Sequence, residues 1–307
     1  MSLPARTAAR LSVGLSPPSK TASRLLIGLP TLVAAGFAAV LLWFHLNEDA
    51  LVYQPWPGKL TAAPAALGLD SQDVTLLTSD GVSLAARVIP PPHEVSDTTA
   101  AWLLYFHGAS GNIGLLGYNE AWAKFRRLGL GVLAVDYRGY GQSAGRPSET
   151  GLYHDADAAW AYLTGQLHVA PARIVIYGYS LGSAVAIDLA TRVPAAGLIV
   201  EGGLVSVPAR GKELYPFLPT TWLAHNRFAS VDKIAAVAMP KLFIHARQDA
   251  DVPISHGQRL FSAARAPKYF QDVAGGHRSS HEVDPGFFPG VARFVAGLGF
   301  PLSPATR

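Results

Sequence analysis

Gly178-Tyr179-Ser180-Leu181-Gly182 is the stretch on which the reading of this 307-residue chain turns. It follows the β-branched run Ile174-Val175-Ile176 and opens a small-residue segment from Gly182 to Ala190. A strand that enters a helix through a serine set between two glycines lets that serine take strained backbone angles and hold its Oγ clear of the chain. The first N–H groups of the helix converge on the same point. The competing reading is a turn serine that merely caps a helix. The partners available elsewhere in the chain separate the two.

One partner is Asp249, in the run Lys241-Leu242-Phe243-Ile244-His245-Ala246-Arg247-Gln248-Asp249-Ala250-Asp251-Val252-Pro253, where an apolar strand ends in a polar turn. Carboxylates at strand ends sit where sites form in an open α/β sheet. The other is His277, after the strand-like Tyr269-Phe270-Gln271-Asp272-Val273 and the flexible pair Gly275-Gly276. Asp251 is an alternative acid and His281 an alternative base. His277, His281 and Glu282 also invite a metal reading, which finds no third ligand at a recognisable spacing, so no metal is expected. The order Ser, Asp, His is the one the α/β-hydrolase fold imposes.

Apolar strands alternate with helical stretches from residue 101 onward: 101–106, 131–135, 173–177, 197–200, 241–245 and 269–273. Such alternation predicts a mostly parallel central sheet with helices on both faces. Ahead of it, Val74–Thr78 and Leu84–Val88 flank Asp80-Gly81, a hairpin signal.

With these residues in view, the chain resembles an α/β-hydrolase superfamily serine hydrolase, from about Leu51 to Phe300. Tyr105-Phe106-His107-Gly108-Ala109-Ser110-Gly111-Asn112 is similar to the family's His-Gly loop, and Asp136-Tyr137-Arg138-Gly139-Tyr140-Gly141-Gln142-Ser143 to its Asp-Tyr-Arg-Gly-Tyr-Gly-x-Ser turn. Gly145-Arg146-Pro147-Ser148-Glu149, the segment 214–219 and His245-x-x-x-Asp249-x-x-Val252-Pro253 look like the small, membrane-anchored branch with a short lid. Ala246 stands where that family often has glycine. The resemblance implies Ser180 as nucleophile, His277 as general base and then acid, and Asp249 as the carboxylate that orients the imidazole. It also implies an oxyanion hole from the N–H groups of Ala109 and Leu181. His107 reads as a loop-shaping residue, Asp136 and Arg138 as braces. Residues 203–240 interrupt the alternation where this fold places its lid, and Tyr215, Phe217 and Trp222 there are candidates to line an acyl site; ordinary packing is the alternative. Arg210, Lys212 and Arg227 are either anion-holding or simply solvated.

Half of the residues are hydrophobic, enough for one large core, and there is no cysteine, which excludes disulfides and a cysteine nucleophile. The formal charge of +4 would suggest a nucleic-acid partner if it lay on the domain. It does not: residues 1–24 hold Arg6, Arg10, Lys20 and Arg24 with no acid, and the remainder is balanced. No nucleic acid is expected. Residues 25–44 carry no charge and are followed by Glu48-Asp49. Twenty helical residues at about 1.5 Å each match a hydrocarbon core of roughly 30 Å. The expected organisation is a basic tail over 1–24, a transmembrane anchor over 25–44, a juxtamembrane linker over 45–70 and an α/β-hydrolase domain over 71–307. The positive-inside rule places the N-terminus in the cytoplasm and the domain on the far side. A cleaved signal peptide has a shorter apolar run, and Trp43-Phe44-His45 is a poor cleavage site.

The sequence therefore predicts a membrane-anchored serine hydrolase, without cofactor, acting on the ester or thioester bond of a small-molecule or lipid-like acyl substrate. A peptidase or amidase on the same fold, and a non-catalytic membrane-bound binding protein, are the rival expectations.

Overall fold

The computed structural model describes residues 20–58, 67–96 and 98–303. Arg6 and Arg10 of the basic tail, and residues 59–66 of the expected linker, lie outside the described residues. Two compact units divide at Leu46 and Asn47.

The first unit carries most of α1 (Lys20–Val52), which contains, over Thr31–Val52, one helical stretch long and apolar enough to cross a membrane. Leu32, Val33, Phe37 and Leu42 on it are exposed. The helix outruns the expected anchor by eight residues at its C-terminal end, because residues 45–52 contain neither glycine nor proline and the first helix breaker after residue 44 is Pro55.

In the second unit the chain continues through β1 (Gln54–Pro55), β2 (Gln72–Leu77), β3 (Ser83–Ile89), β4 (Trp102–Phe106), β5 (Ser110–Gly111), α2 (Leu116–Arg127), β6 (Gly131–Val135) and α3 (Glu149–Ala161). It then runs through β7 (Ile174–Tyr179), α4 (Leu181–Ala190), β8 (Gly197–Glu201) and the lid helices α5 (Val207–Leu214), α6 (Thr220–Leu223) and α7 (Ser230–Lys233). Last come β9 (Lys241–Ala246), α8 (Ile254–Ala263), β10 (Lys268–Val273), α9 (Ser280–Val283) and α10 (Phe287–Gly297). Eight strands form one sheet in the order β10-β9-β8-β7-β4-β6-β3-β2, parallel except for β3, which runs against both neighbours.

The central strands read as unbroken apolar runs because both of their faces are buried. Leu104, Phe106, Leu133, Ile174 and Ile176 pack on one side with Leu152, Ala156, Val185 and Leu260, which belong to α3, α4 and α8. Leu103, Tyr105, Val132, Val175 and Tyr177 pack on the other with Trp122, Phe125, Val291 and Phe294, from α2 and α10. Helices on both faces of a mostly parallel sheet are the architecture the alternation predicts.

Residues 47–58, part of the expected juxtamembrane linker, are built into this unit. Tyr53 is buried, and β1 pairs with β5 at Gln54–Ser110 and Pro55–Gly111.

Candidate active site

Ser180 joins β7 to α4 with φ 54° and ψ −122°, a conformation that costs a non-glycine residue on the order of 1–3 kcal/mol. The flanking glycines are steric necessities. A Cβ on Gly178 would lie 2.4 Å from the Gly182 carbonyl oxygen, and one on Gly182 would lie 2.2 Å from the Phe106 carbonyl oxygen at the end of β4. The turn is fastened by the Ser180 N–H, which donates to the Glu201 carbonyl on the adjacent strand at 2.9 Å.

His277 reaches Ser180 from the loop after β10: its Nε2 lies 2.8 Å from Ser180 Oγ. Its Nδ1 lies 2.6 Å from Asp249 Oδ2. Since a carboxylate only accepts, Nδ1 carries the proton and Nε2 is free to accept from the serine hydroxyl. Asp249 Oδ1 accepts the Val252 N–H at 2.7 Å, and His245 Nε2, 3.4 Å from Oδ2, also bonds the Val252 carbonyl at 2.8 Å. Burial by itself would raise the Asp249 carboxyl. Hydrogen bonds from His245 and His277, with the His277 charge and the Val252 N–H, outweigh burial and hold it well below the usual carboxylate range.

The alternatives lie elsewhere. Asp251 is exposed and faces Arg278 at 3.5 Å, while its carbonyl accepts from Arg210. His281 packs its ring 6.2 Å from that of Phe287 and its Nε2 lies 3.8 Å from Glu282. Among the described residues, no group of three or more His, Asp or Glu side chains is arranged to hold a metal ion.

Leu181 is the first residue of α4, so its N–H has no partner within the helix. Gly108 packs against the serine: a Cβ there would lie 3.3 Å from Ser180 Cβ. The loop that carries Ala109 is held by hydroxyls, Tyr137 donating to the His107 carbonyl at 2.9 Å and Tyr140 to the Ala109 carbonyl at 2.8 Å. His107 is fully buried, with Nδ1 2.8 Å from the Gly108 carbonyl, and shapes the same loop. Asp136 accepts the Ile113 N–H at 2.7 Å, and Arg138 bonds Asp80 and Asp155. Both residues brace loops beside the site.

Three features escaped sequence reasoning. The Tyr179 hydroxyl donates to the His277 carbonyl at 2.9 Å, with its ring 5.1 Å from the imidazole, and burial pushes its phenol far above the usual value. The buried Glu201 accepts from Tyr177 at 2.6 Å and from Ser280, three residues after His277, at 3.1 Å, tying the histidine loop to the serine strand. Third, the end of α1 grips the lid. Glu48 accepts the N–H groups of His225 at 2.9 Å and Asn226 at 2.8 Å, Asp49 accepts from Asn226 Nδ2 at 2.8 Å, and the Tyr53 hydroxyl donates to Asn226 Oδ1 at 2.6 Å. The signal for this grip was the pair Glu48-Asp49, whose sequence position suggested only a flank to the anchor.

On the lid, Leu218 is buried, whereas Phe217 and Trp222 face largely outward and Tyr215 is partly covered, its ring 6.5 Å from that of Phe217. The lid cations bond main-chain carbonyls: Arg210 that of Asp251, Lys212 that of Pro216, Arg227 that of Thr221.

A mostly parallel sheet with a strained serine between β7 and α4, facing a histidine and a carboxylate from later strand ends, defines an α/β-hydrolase. Residues 97–230 match the family model described as serine aminopeptidase, S33. The uncharacterized protein Rv2307c of Mycobacterium tuberculosis is 37% identical over 254 residues, which is 82% of this chain and 87% of that one. The alpha/beta hydrolase domain-containing protein WAV2 of Arabidopsis thaliana is 32% identical over 254 residues, 76% of this chain and 80% of its own length. The chain belongs to the α/β-hydrolase family. Its fold matches that of the esterase Pf2001 of Pyrococcus furiosus with a TM-score of 0.65 at 20% identity, over 80% of this chain and 98% of that one.

Proposed function

We propose that the chain is a membrane-anchored serine hydrolase that cleaves carboxylic ester or thioester bonds by two-step acyl transfer. The observation that carries the proposal is the continuous relay from Ser180 Oγ through His277 to Asp249, at 2.8 and 2.6 Å. Ser180 attacks the acyl carbonyl while His277 Nε2 takes its proton, and Asp249 stabilises the imidazolium that forms. The N–H groups of Leu181 and Ala109 receive the oxyanion, each worth about 2.7–4 kcal/mol in the transition state. The imidazolium returns the proton to the leaving group. Water, deprotonated by His277, then attacks the acyl-enzyme and frees Ser180.

The apolar stretch of α1 supports membrane anchoring, and the basic residues ahead of it support a cytoplasmic N-terminus with the domain on the extracytoplasmic side. A peptidase or amidase is the second reading, favoured by the description of the matching family model.

A fluorophosphonate probe tests the nucleophile, because only an activated serine attacks it quickly. The folded protein should be labelled at Ser180 and the Ser180→Ala variant should not. Failure of the wild type to label would refute the catalytic reading. Chromogenic acyl esters of several chain lengths, run beside aminoacyl amides, separate esterase from peptidase.

A further inference from the structure

Several large apolar side chains are exposed around the end of the sheet that carries Ser180. Leu214, Phe217 and Trp222 of the lid are exposed, Trp222 to 91%. Leu51 near the end of α1, Trp56 just beyond it and Leu116 at the start of α2 are exposed too. These residues share one region of the topology. The lid leaves the C-terminal end of β8, α2 follows the C-terminal end of β4, and the Trp56 N–H bonds the Gly111 carbonyl beyond β4 at 3.2 Å. Leu51 lies between Asp49 and Tyr53, both bonded to Asn226 of the lid. Clustered large apolar side chains on a surface mark a contact.

Two observations say what covers them. One is connectivity: the apolar stretch of α1 runs without a break into Glu48 and Asp49, and those two residues are the ones that hold the lid. The other is composition: the exposed Phe217 and Trp222 lie in the same segment as Arg210, Lys212 and Arg227, of which Arg210 is paired with Glu213, and aromatic side chains among basic ones suit a headgroup region.

We infer that this apolar rim rests on the surface of the bilayer that α1 crosses, so that the acyl substrate reaches Ser180 from the membrane and is itself a membrane-resident lipid ester. The inference builds on the anchored reading of α1. Tryptophan and phenylalanine settle at the interface, and a face of this kind enters it by about 5–10 Å. The anchor already holds the domain at the membrane, so the rim meets lipid at high effective concentration.

The chain has no cysteine, so one introduced cysteine reports one position. Phe217→Cys and Trp222→Cys in the full chain, each carrying an environment-sensitive fluorophore, are reconstituted into vesicles of zwitterionic and anionic phospholipid. Phe37→Cys on the apolar part of α1 serves as the anchor control. Tyr269→Cys, at the opposite end of the sheet on β10, serves as the solvent control. Blue-shifted emission at 217 and 222, quenched by lipid nitroxides near the headgroups, with 269 unaffected, is the expected result. Quenching at 37 alone would overturn the inference and leave the anchor standing. Quenching at none of the four would overturn both. Equal quenching at 269 would mean indiscriminate adsorption and would also overturn it. Labelling of Ser180 by fluorophosphonate is independent of all these outcomes.

Discussion

Ser180 sits at φ 54° between two glycines at which a Cβ would meet backbone, and in the proposed mechanism the strain serves only if His277 and Asp249 act with it. Ser180→Ala should therefore keep its near-ultraviolet circular dichroism and lose at least about a thousandfold in turnover. Asp249→Asn should cost on the order of ten-thousandfold, because an amide in place of the carboxylate stabilises the wrong imidazole tautomer. Asp251→Asn should retain most activity, its carboxylate being exposed and turned to Arg278. Rates on a chromogenic ester check all three, and a crippled Asp251→Asn would refute the assignment of the acid. The depressed Asp249 carboxyl also has a thermodynamic consequence. The folded protein favours its charged form, so the associated stability is complete above the unfolded carboxylate range near 4 and declines as pH falls through it toward the lower folded value. Melting temperatures measured from pH 7 down to pH 3 should show the wild type losing ground relative to Asp249→Asn. A constant difference would contradict the linkage.

At the scale of elements, the packing of α4 against the ends of β7 and β4 leaves no room for a methyl group. Gly182→Ala would push a Cβ into two backbone carbonyls, those of Phe106 and His107, which cannot rotate away as a side chain would. Overpacking of this kind typically costs about 1–3 kcal/mol, occasionally more. A lowered denaturant midpoint with a lost fluorophosphonate signal is expected; an unchanged midpoint would mean that the helix docks differently. The grip of α1 on the lid is a second junction. Hydrogen bonds to charged groups contribute about 1.5–3 kcal/mol each, and Glu48 receives two from the lid backbone. Glu48→Gln should speed amide exchange across residues 215–228 while leaving β7 and β8 protected. Exchange unaltered in the lid would show that the rest of its packing holds it.

For the whole molecule, the division between an apolar helix and a formally neutral domain sets the expectation for topology. Arg6, Arg10, Lys20 and Arg24 resist translocation, whereas the acids at Glu48 and Asp49 contribute little to orientation. A reporter fused after Arg307 that functions only outside the cytoplasm should be active, and the protein should resist carbonate extraction with its N-terminal segment intact. Activity of a cytoplasm-only reporter would reverse the orientation. A soluble product beginning near residue 45 would identify a cleaved segment and leave the proposal for Ser180 untouched.

Short-range patterns determined much of this protein from the sequence alone. Strands buried on both faces are largely apolar, so β4, β6 and β7 stood out as apolar runs, as did the middles of β8 and β9, which carry Glu201, Lys241 and His245 at or near their ends, and Asp80-Gly81 marked the β2–β3 connection. The glycines around Ser180 were legible for the same reason, since the turn they permit lies within five residues. What the tertiary structure decided depends on partners distant in the chain. Asp249 and Asp251, or His277 and His281, have the same chemistry and nearly the same position, and only the paths of the loops after β9 and β10 bring one of each pair into line with Ser180. The bond from His225 to Glu48 spans 177 residues and leaves no periodicity to read. It exists because helical continuation past residue 44 places two acids beside the lid backbone, where the Glu48 carboxylate accepts the N–H groups of His225 and Asn226.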